Sequence, residues 1–486
     1  MTAKEKIVSF IEQNRQDFIR VSDGIWDAAE LGLREYKSAR LLIDELEKHG
    51  FTVTAGLGGI PTAFEAKWGE GKPAVGICGE FDALPELSQV AGCNVQKPLV
   101  EGAPGHGCMH HLLGAGAMAA AIAVRYYMEE NKIPGSISFF GCPGEERGSG
   151  KVFMARAGAF DHLDAALSWH PDDFTTPWST GNSATVKADF TFRGKAAHAA
   201  RVPFMGRSAL DAVELMSVGC NYLREHMPPN TMLHYGYKSA GNPSPNIVQD
   251  YACVTYAVRG ANISDVNDLL ERVAKVAKGA AMMTETEVTY ENGDGTPEYS
   301  ANLTLNRILS DALHQIGPPP FDEEDIKLAA YMREGLTEEQ LRCRNSFMTG
   351  LTPEDAPDYC VTHPLSDLVA DMLESTPVVI PSSSDIGAVS YVVPTAQVAV
   401  ACRVVGGPNH SWLVTAQGKT SFAHKGMLTA AKALGLGAVM MLEQNAREDG
   451  ALFRAAREEM MKKTGGKLVA PFPDTLMPDV EKDVTL

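Results

Sequence analysis

The sequence predicts an α/β protein: a mixed, largely parallel sheet with helices on both faces, interrupted by a smaller inserted α+β domain of the ferredoxin-like kind. Three observations predict it. In the first third of the chain, short apolar runs that end in polar clusters alternate with helical stretches, as buried parallel strands and their crossover helices do. Near residue 183 this gives way to half-buried strands with one wet face, and after residue 298 the first pattern returns. The expected division is residues 1–182 with 298–486 as one discontinuous domain, and 183–297 as the insert.

Taken in order, residues 1–50 read as helical, with Ile7, Phe10, Ile11 and Phe18, then Ala39, Leu42, Ile43 and Leu46, near helical spacing and Gly50 as a stop. Buried strands follow at 74–78, 137–140 and 165–169, with helices expected over 111–130 and 151–159. In the insert, Val186, Phe190 and Phe192 alternate with Lys187, Asp189, Thr191 and Arg193. Helices are expected over 208–224 and 264–283, and strands over 251–259 and 287–290, a split βαβ arrangement. Val378–Ile380 and Ala396–Val400, with a helix over 428–442, are expected to complete the first sheet. Residues 317–370 read as a Pro-rich charged insertion without a clear period, and the last ~35 residues as a polar surface tail.

Composition narrows the function. The net charge is -18 and no long basic run opposes it, which argues against nucleic acid, whose backbone is bound by clustered Lys and Arg. Nine scattered cysteines, an odd number in a long chain, point to free thiols in a reducing cytoplasm rather than to a disulfide framework. The charged N-terminus has no apolar signal core. No membrane span is expected: the longest apolar candidate, Leu112 to Met128, is broken by Arg125 and reads as a buried helix.

In open α/β sheets ligands bind beyond the carboxyl ends of the strands. The polar residues there are Glu80 and Asp82, Glu145 and Glu146, His170, and His410 after the run ending at Val405. Gly105–His111, at the start of a helix, adds Cys108 and His110. Carboxylates, imidazoles and a thiol on one rim suit zinc, or manganese at the oxygen-rich end. Cys108 and His110, two apart, point the same way in an extended segment. Glu145 and Glu146 diverge, so that one can hold a metal while the other acts as a base distinct from the ligands. Asp82 can orient a ligand from behind. Singly, each also fits a plainer role: a buried thiol, a helix cap, an acidic turn, a structural histidine.

Read in order, several segments resemble the metallopeptidase family of aminoacylases, glutamate carboxypeptidases and plant auxin-conjugate hydrolases. They include Gly79-Glu-Phe-Asp-Ala-Leu84, Gly105-His-Gly-Cys-Met-His110, Gly141-Cys-Pro-Gly-Glu-Glu146 with Gly148-Ser-Gly-Lys151, and Ser168-Trp-His-Pro171. Ala196-Ala-His-Ala-Ala200, Asn246-Ile-Val248, Ser384-Asp-Ile-Gly387 and His410-Ser-Trp412 extend it over nearly the whole chain.

The resemblance implies a binuclear amidohydrolase with two divalent ions, Zn2+ or Mn2+, that cleaves a small N-acyl or N-aroyl amino acid. It implies that Cys108 bridges the metals, that His110 and His170 complete one site and Glu146 and His410 the other, and that Glu145 is the base. The insert becomes a lid and dimer interface, in a homodimer or a heteromer with a related subunit. His198 would reach the partner's active site, and Asn246 and Arg259 would hold a substrate carboxylate, a task that suits the Arg fork. Two positions depart from the family pattern beside the metals and are expected to touch substrate: Met109, where Gly is usual, and His111, where Asn or Asp is usual. Rival readings are a thiol hydrolase with Cys108 as nucleophile, release of an arylamine on the same metals, and a non-catalytic partner subunit.

Overall fold

The computed structural model describes residues 1–342, 349–373, 379–380 and 382–480. Strands are β1 (Thr52–Ala55), β2 (Phe64–Glu70), β3 (Ala74–Glu80), β4 (Gly135–Cys142), β5 (Ala165–Asp172), β6 (Thr176–Trp178), β7 (Gly181–Asn182), β8 (Ala184–Arg193), β9 (Met232–Ser239), β10 (Tyr251–Gly260), β11 (Glu287–Thr296), β12 (Val379–Ile380) and β13 (Thr395–Ala401). A seven-stranded sheet runs in the order β1-β2-β4-β3-β5-β13-β6. Its centre, β4-β3-β5-β13, is parallel, and β1, β2 and β6 are antiparallel additions. β3 and β13 are buried along their whole length, which is why they read as continuous apolar runs.

The helices that position the site are α1 (Ala3–Gln13), α2 (Arg15–Ala28), α3 (Tyr36–Lys48), α4 (His110–Asn131) and α5 (Gly150–Arg156). α4 lies against β3, β4 and β5 and beside the long helix Ser421–Arg447. That helix is long and apolar enough to cross a membrane by length and composition, although its sequence did not single it out. It is the core helix of this domain, with 89% of its apolar window buried inside the protein.

The second sheet, β11-β8-β10-β9, is antiparallel throughout and carries α6 (Ala209–Leu223) and α7 (Ile263–Thr284). Strand order 4-1-3-2 in a βαββαβ chain is the ferredoxin-like arrangement. β9 was not anticipated. It is an edge strand with most side chains exposed, so it lacks the apolar alternation that betrays its neighbours.

Three expectations need correction. Val379–Ile380 does not join the main sheet but pairs in parallel with β7 as a separate two-stranded ladder, and Val378 lies outside the described residues. The C-terminal segment is not simply a polar tail: Ala451–Thr464 is a helix that buries Leu452, Phe453, Ala456 and Met460, and Phe472 beyond it stacks on Phe153 at 4.9 Å. The insertion 317–370 holds helices Glu323–Met332, Glu338–Arg342 and Ala356–Thr362. The Arg333 guanidinium pins it by donating to the carbonyls of Cys360 (2.8 Å), His363 (3.0 Å) and Val405 (3.5 Å). Val405 opens the loop that carries His410.

Candidate metal centre

The parallel strands end on one edge, at Glu80, Cys142, Asp172 and Ala401. The segments that follow deliver the site. Asp82 lies two residues past β3, and Glu145 and Glu146 sit in the turn between β4 and α5. His170 is near the end of β5, and His410 is in the loop after β13. Cys108 and His110 enter from the start of α4. The Gly148-Ser-Gly sequence is a packing requirement: a Cβ on Gly150 would stand 1.9 Å from the carbonyl oxygen of Pro143.

Two donor triplets share Cys108. One is Cys108, His110 and His170; the other is Cys108, Glu146 and His410, and within each the ligand atoms lie within 4.8 Å of one another. Cys108 Sγ is 3.5 Å from His170 Nε2, and Glu146 Oε1 is 3.4 Å from His410 Nε2. The ligand orientations are fixed from behind. His170 Nδ1 is 2.8 Å from the Pro171 carbonyl, and His110 Nδ1 is 2.8 Å from Asp82 Oδ1. Asp82 also accepts the Glu146 backbone N–H at 2.9 Å, so one carboxylate orients a histidine and the turn that bears the acids.

The residues present fit divalent cations. His110 Nε2, Glu80 Oε2 and Glu146 Oε1 are buried without a hydrogen-bond partner, although Glu80 lies 3.3 Å from His110 Nε2, within ion-pair range. Buried polar atoms are rarely left so. Charge points the same way. Five carboxylates (Glu80, Asp82, Glu145, Glu146 and Asp385) crowd the site, and Lys151 is the ammonium buried among them. Burial, and then the neighbouring carboxylates Glu80, Glu146 and Asp385, push the Glu145 carboxyl well above its ordinary range. Burial together with the charge on His110 lowers His170 to about 4, leaving it the neutral imidazole a metal needs.

Lys151 was not among the residues that the sequence marked for this site. Its ammonium bridges Glu80, at 2.6 Å, and Asp385, and its backbone N–H donates to Asp385 at 2.8 Å. A third close set, Glu80, His110 and Glu145, adjoins the two triplets. With Lys151 already on Glu80, that set is neutralised from within. The signal was present in the Gly148–Lys151 and Ser384–Asp385 segments, but their meeting is a long-range fact.

The remaining candidates are placed differently. Arg259 lines a cavity of about 430 Å³ between Glu145, Glu146 and the inserted domain, and donates to Ser383 Oγ at 3.1 Å. His198 and Asn246 lie together, the Ala199 N–H donating to the Asn246 carbonyl at 2.9 Å, exposed on the inserted domain and apart from the two cavities at the candidate metal centre. His198 Nδ1 accepts from the Ala200 and Arg201 N–H groups at 3.2 and 3.3 Å, which leaves Nε2 to carry the proton outward.

Met109 and His111 do not reach the cavity. Met109 is 1% exposed within the main core, and His111 is fully buried with Nε2 3.1 Å from the Gly418 carbonyl and its ring 4.8 Å from that of His106. Both back the metal ligands rather than face substrate.

Comparison with known proteins gives the family. Residues 180–282 match the family model described as a peptidase dimerisation domain. The chain is 43% identical over 428 residues to the B subunit of the p-aminobenzoyl-glutamate hydrolase of Escherichia coli (strain K12), covering 87% of this chain and 89% of that protein. It is 29% identical over 306 residues to the Xaa-Arg dipeptidase of Mus musculus, covering 60% and 65%. Among solved structures it resembles an aminobenzoyl-glutamate utilization protein from Klebsiella pneumoniae (TM-score 0.54, 16% identity, 86% of this chain and 97% of that one). It also resembles a dinuclear metal-binding peptidase of the M20 family from Bacillus subtilis (TM-score 0.54, 16% identity, 88% and 99%). The chain belongs to the M20 family of metallopeptidases, on the branch of the p-aminobenzoyl-glutamate hydrolase B subunits, and is a metal-dependent amide hydrolase.

Proposed function

We propose that this hydrolase cleaves the amide bond of N-aroyl amino acids of the p-aminobenzoyl-glutamate type, releasing the aromatic acid and the amino acid. The observation that carries the reading is the pair of donor triplets sharing Cys108, with Glu145 beside them, in a chain 43% identical to such a hydrolase. Cys108, shared by the two triplets, would hold two divalent ions together with His110 and His170 on one side and Glu146 and His410 on the other. Zn2+ and Mn2+ both suit this thiolate, imidazole and carboxylate set. Ions held there would supply Lewis-acid polarisation of the amide carbonyl and a more acidic water.

The chain's own residues do the rest. Asp82 engages His110 Nδ1, which leaves Nε2 directed to the Cys108 and His170 donors. Glu145 takes a proton from the attacking water and returns it to the leaving nitrogen. His198 of a second copy donates its Nε2–H to the developing oxyanion. Arg259, with Asn246 of a second copy, receives the substrate carboxylate. In this reading residues 1–182 and 298–486 form the catalytic unit, and 183–297 the lid through which a homodimer forms. The relative's designation as a B subunit, alongside A-subunit relatives, favours a mixed oligomer as the second reading. Seven described cysteines, Cys78, Cys93, Cys108, Cys142, Cys220, Cys253 and Cys402, are free thiols, which supports a cytoplasmic setting.

The test uses the purified single chain, stripped by chelator, with p-aminobenzoyl-glutamate and with or without Mn2+ or Zn2+. Metal-restored release of p-aminobenzoate is expected. Silence with no metal bound would sink the reading, and silence with two ions bound would discard only the substrate or require a second subunit. Glu145→Gln should keep its metal while losing at least about a hundredfold in turnover. If it retained more than a few per cent of activity, the base would be another group.

A further inference from the structure

Two cavities meet at the metal centre and differ in chemistry. Both are walled by Glu145, Glu146, His410 and Ser382–Ser384. The lid-side cavity continues past Thr185, Lys187, Asp294 and Arg259. Lys187 is paired with Asp294 at 2.8 Å, so Arg259 is the lining cation without a carboxylate partner among the described residues. The other cavity, about 330 Å³, runs into the catalytic sheet past Pro171, Trp178, Ile380 and Val414. Its one cation, Arg403, is paired with Asp172 at 2.5 Å.

We infer that Trp178 is a specificity-determining residue: its indole forms the wall against which the aromatic acyl group lies, while the amino-acid half of the substrate points to Arg259. The inference rests on the N-aroyl reading above and deepens it by fixing which way the substrate spans the two cavities. Trp178 is built for this. It ends the short edge strand β6, paired to Gln397 of β13, and its Nε1–H donates to Asn182 Oδ1 at 3.1 Å. The one polar group of the ring is thus used within the protein. Its ring centroid lies 6.1 Å from that of His170, with the two planes at 72°, which places the indole beside a candidate metal ligand. An aromatic ring there gains offset or edge contacts beyond area burial, whereas an acetyl group has too little surface to reach them. The opposite orientation would bury a carboxylate against Trp178, Ile380 and Val414 and set an aryl ring beside Arg259 and the Lys187–Asp294 pair, leaving charge uncompensated at one end.

The test compares wild type, Trp178→Ala and Trp178→Phe, each metal-loaded with its metal content measured, on N-(p-aminobenzoyl)-glutamate and N-acetyl-glutamate. The preference, kcat/KM for the aroyl substrate over kcat/KM for the acetyl one, should fall at least tenfold in Trp178→Ala, mainly through KM, and recover most of its value in Trp178→Phe. An equal loss on both substrates, or an unchanged preference, would overturn the inference. Calorimetric binding of p-aminobenzoate separates it from the substrate reading. If wild type hydrolyses neither compound but binds p-aminobenzoate at least tenfold more tightly than Trp178→Ala does, the aromatic subsite stands and the substrate reading falls. If wild type binds no aromatic acid, or binds it as tightly without Trp178, the subsite falls.

Discussion

At the scale of single residues, Met109 shows what one position beside a metal costs. Its φ of 62° is in the left-handed region, where a Cβ is penalised by about 1–2 kcal/mol and glycine is not. Glycine would carry no such cost there, and Met109 is tolerated because its side chain, 1% exposed in the main core, recovers the cost by burial. Met109→Gly and Met109→Ala remove the same packing and differ chiefly in the backbone term. Both should destabilise, and the Gly variant should be the more stable of the two by about 0.5–1 kcal/mol, after allowing for the extra freedom of Gly in the unfolded chain. Urea melts of the two variants check it; equal stability would mean that the turn relaxes. His111, expected to touch substrate, is buried instead against the Gly418 carbonyl. A residue next to a ligand in sequence need not be next to the metal. α4 begins at His110, and 3.6 residues per turn rotate the neighbouring side chain ~100° away, into the wall that carries Gly418. Cys108, Glu146, His170 and His410 were legible because each follows a buried run or opens a helix at the same sheet edge. The Lys151 bridge was not, because its partner Asp385 lies 234 residues away in sequence.

At the scale of elements, the turn between β4 and α5 is held from outside its own sequence. The loop joining α2 to α3 packs on it: Leu33 touches Gly144 and Gly148, as the contacts an added Cβ would make there show, and Glu35 Oε1 accepts the Gly144 N–H at 2.8 Å. Thr62 donates to the other Glu35 oxygen at 3.0 Å. Burial, and then the charge on Asp82, raise the Glu35 carboxyl to about 8, so it is a neutral acid at pH 7. The sign follows. The unfolded chain releases this proton above about pH 4.5 and the folded chain keeps it until about pH 8. Between those values the folded state binds more protons, and stability falls as pH rises, on the order of 1 kcal/mol per unit for this group alone. Glu35→Gln supplies a permanently neutral equivalent. In the metal-free protein, the stability of wild type relative to Glu35→Gln should therefore decline from pH 5 to pH 8. A difference independent of pH would show that Glu35 is ionised in the fold. None of this could be read from residues 29–35, whose spacing says only that a helix starts nearby. Edge elements were also poorly legible: β9 is mostly exposed, and the β7–β12 ladder is two residues long on each side.

At the scale of the whole molecule, the hydrophobic interior is divided. The four-stranded sheet with α6 and α7 encloses one cluster, joined from outside by Tyr391, while the main sheet encloses others. The change of pattern near residue 183 was visible in sequence because a one-sided sheet alternates and a two-sided sheet does not. The two parts touch through apolar contacts of Tyr391, Val392 and Leu468 with that cluster and through polar links that include Arg259 to Ser383, Asp294 to Ser149, and Glu298 accepting from Ile263 N–H and Tyr391 O–H at 2.9 and 2.6 Å. The candidate metal ligands, in contrast, all come from the main-sheet part, from four segments between residues 108 and 410. A bound ion ties those segments together and adds its binding free energy to the folded state of that part alone. Amide hydrogen exchange should show it. On adding Mn2+ or Zn2+ to the stripped protein, protection should rise at 104–112, 143–150, 168–172 and 406–412, and stay within error in α6 and α7. Equal gains in both parts would mean that the contacts between them transmit the stabilisation. A gain in neither would remove the ions from these ligands altogether. Protection confined to the four segments would show that the ions stiffen the main-sheet part alone and leave the inserted domain to fluctuate independently of them.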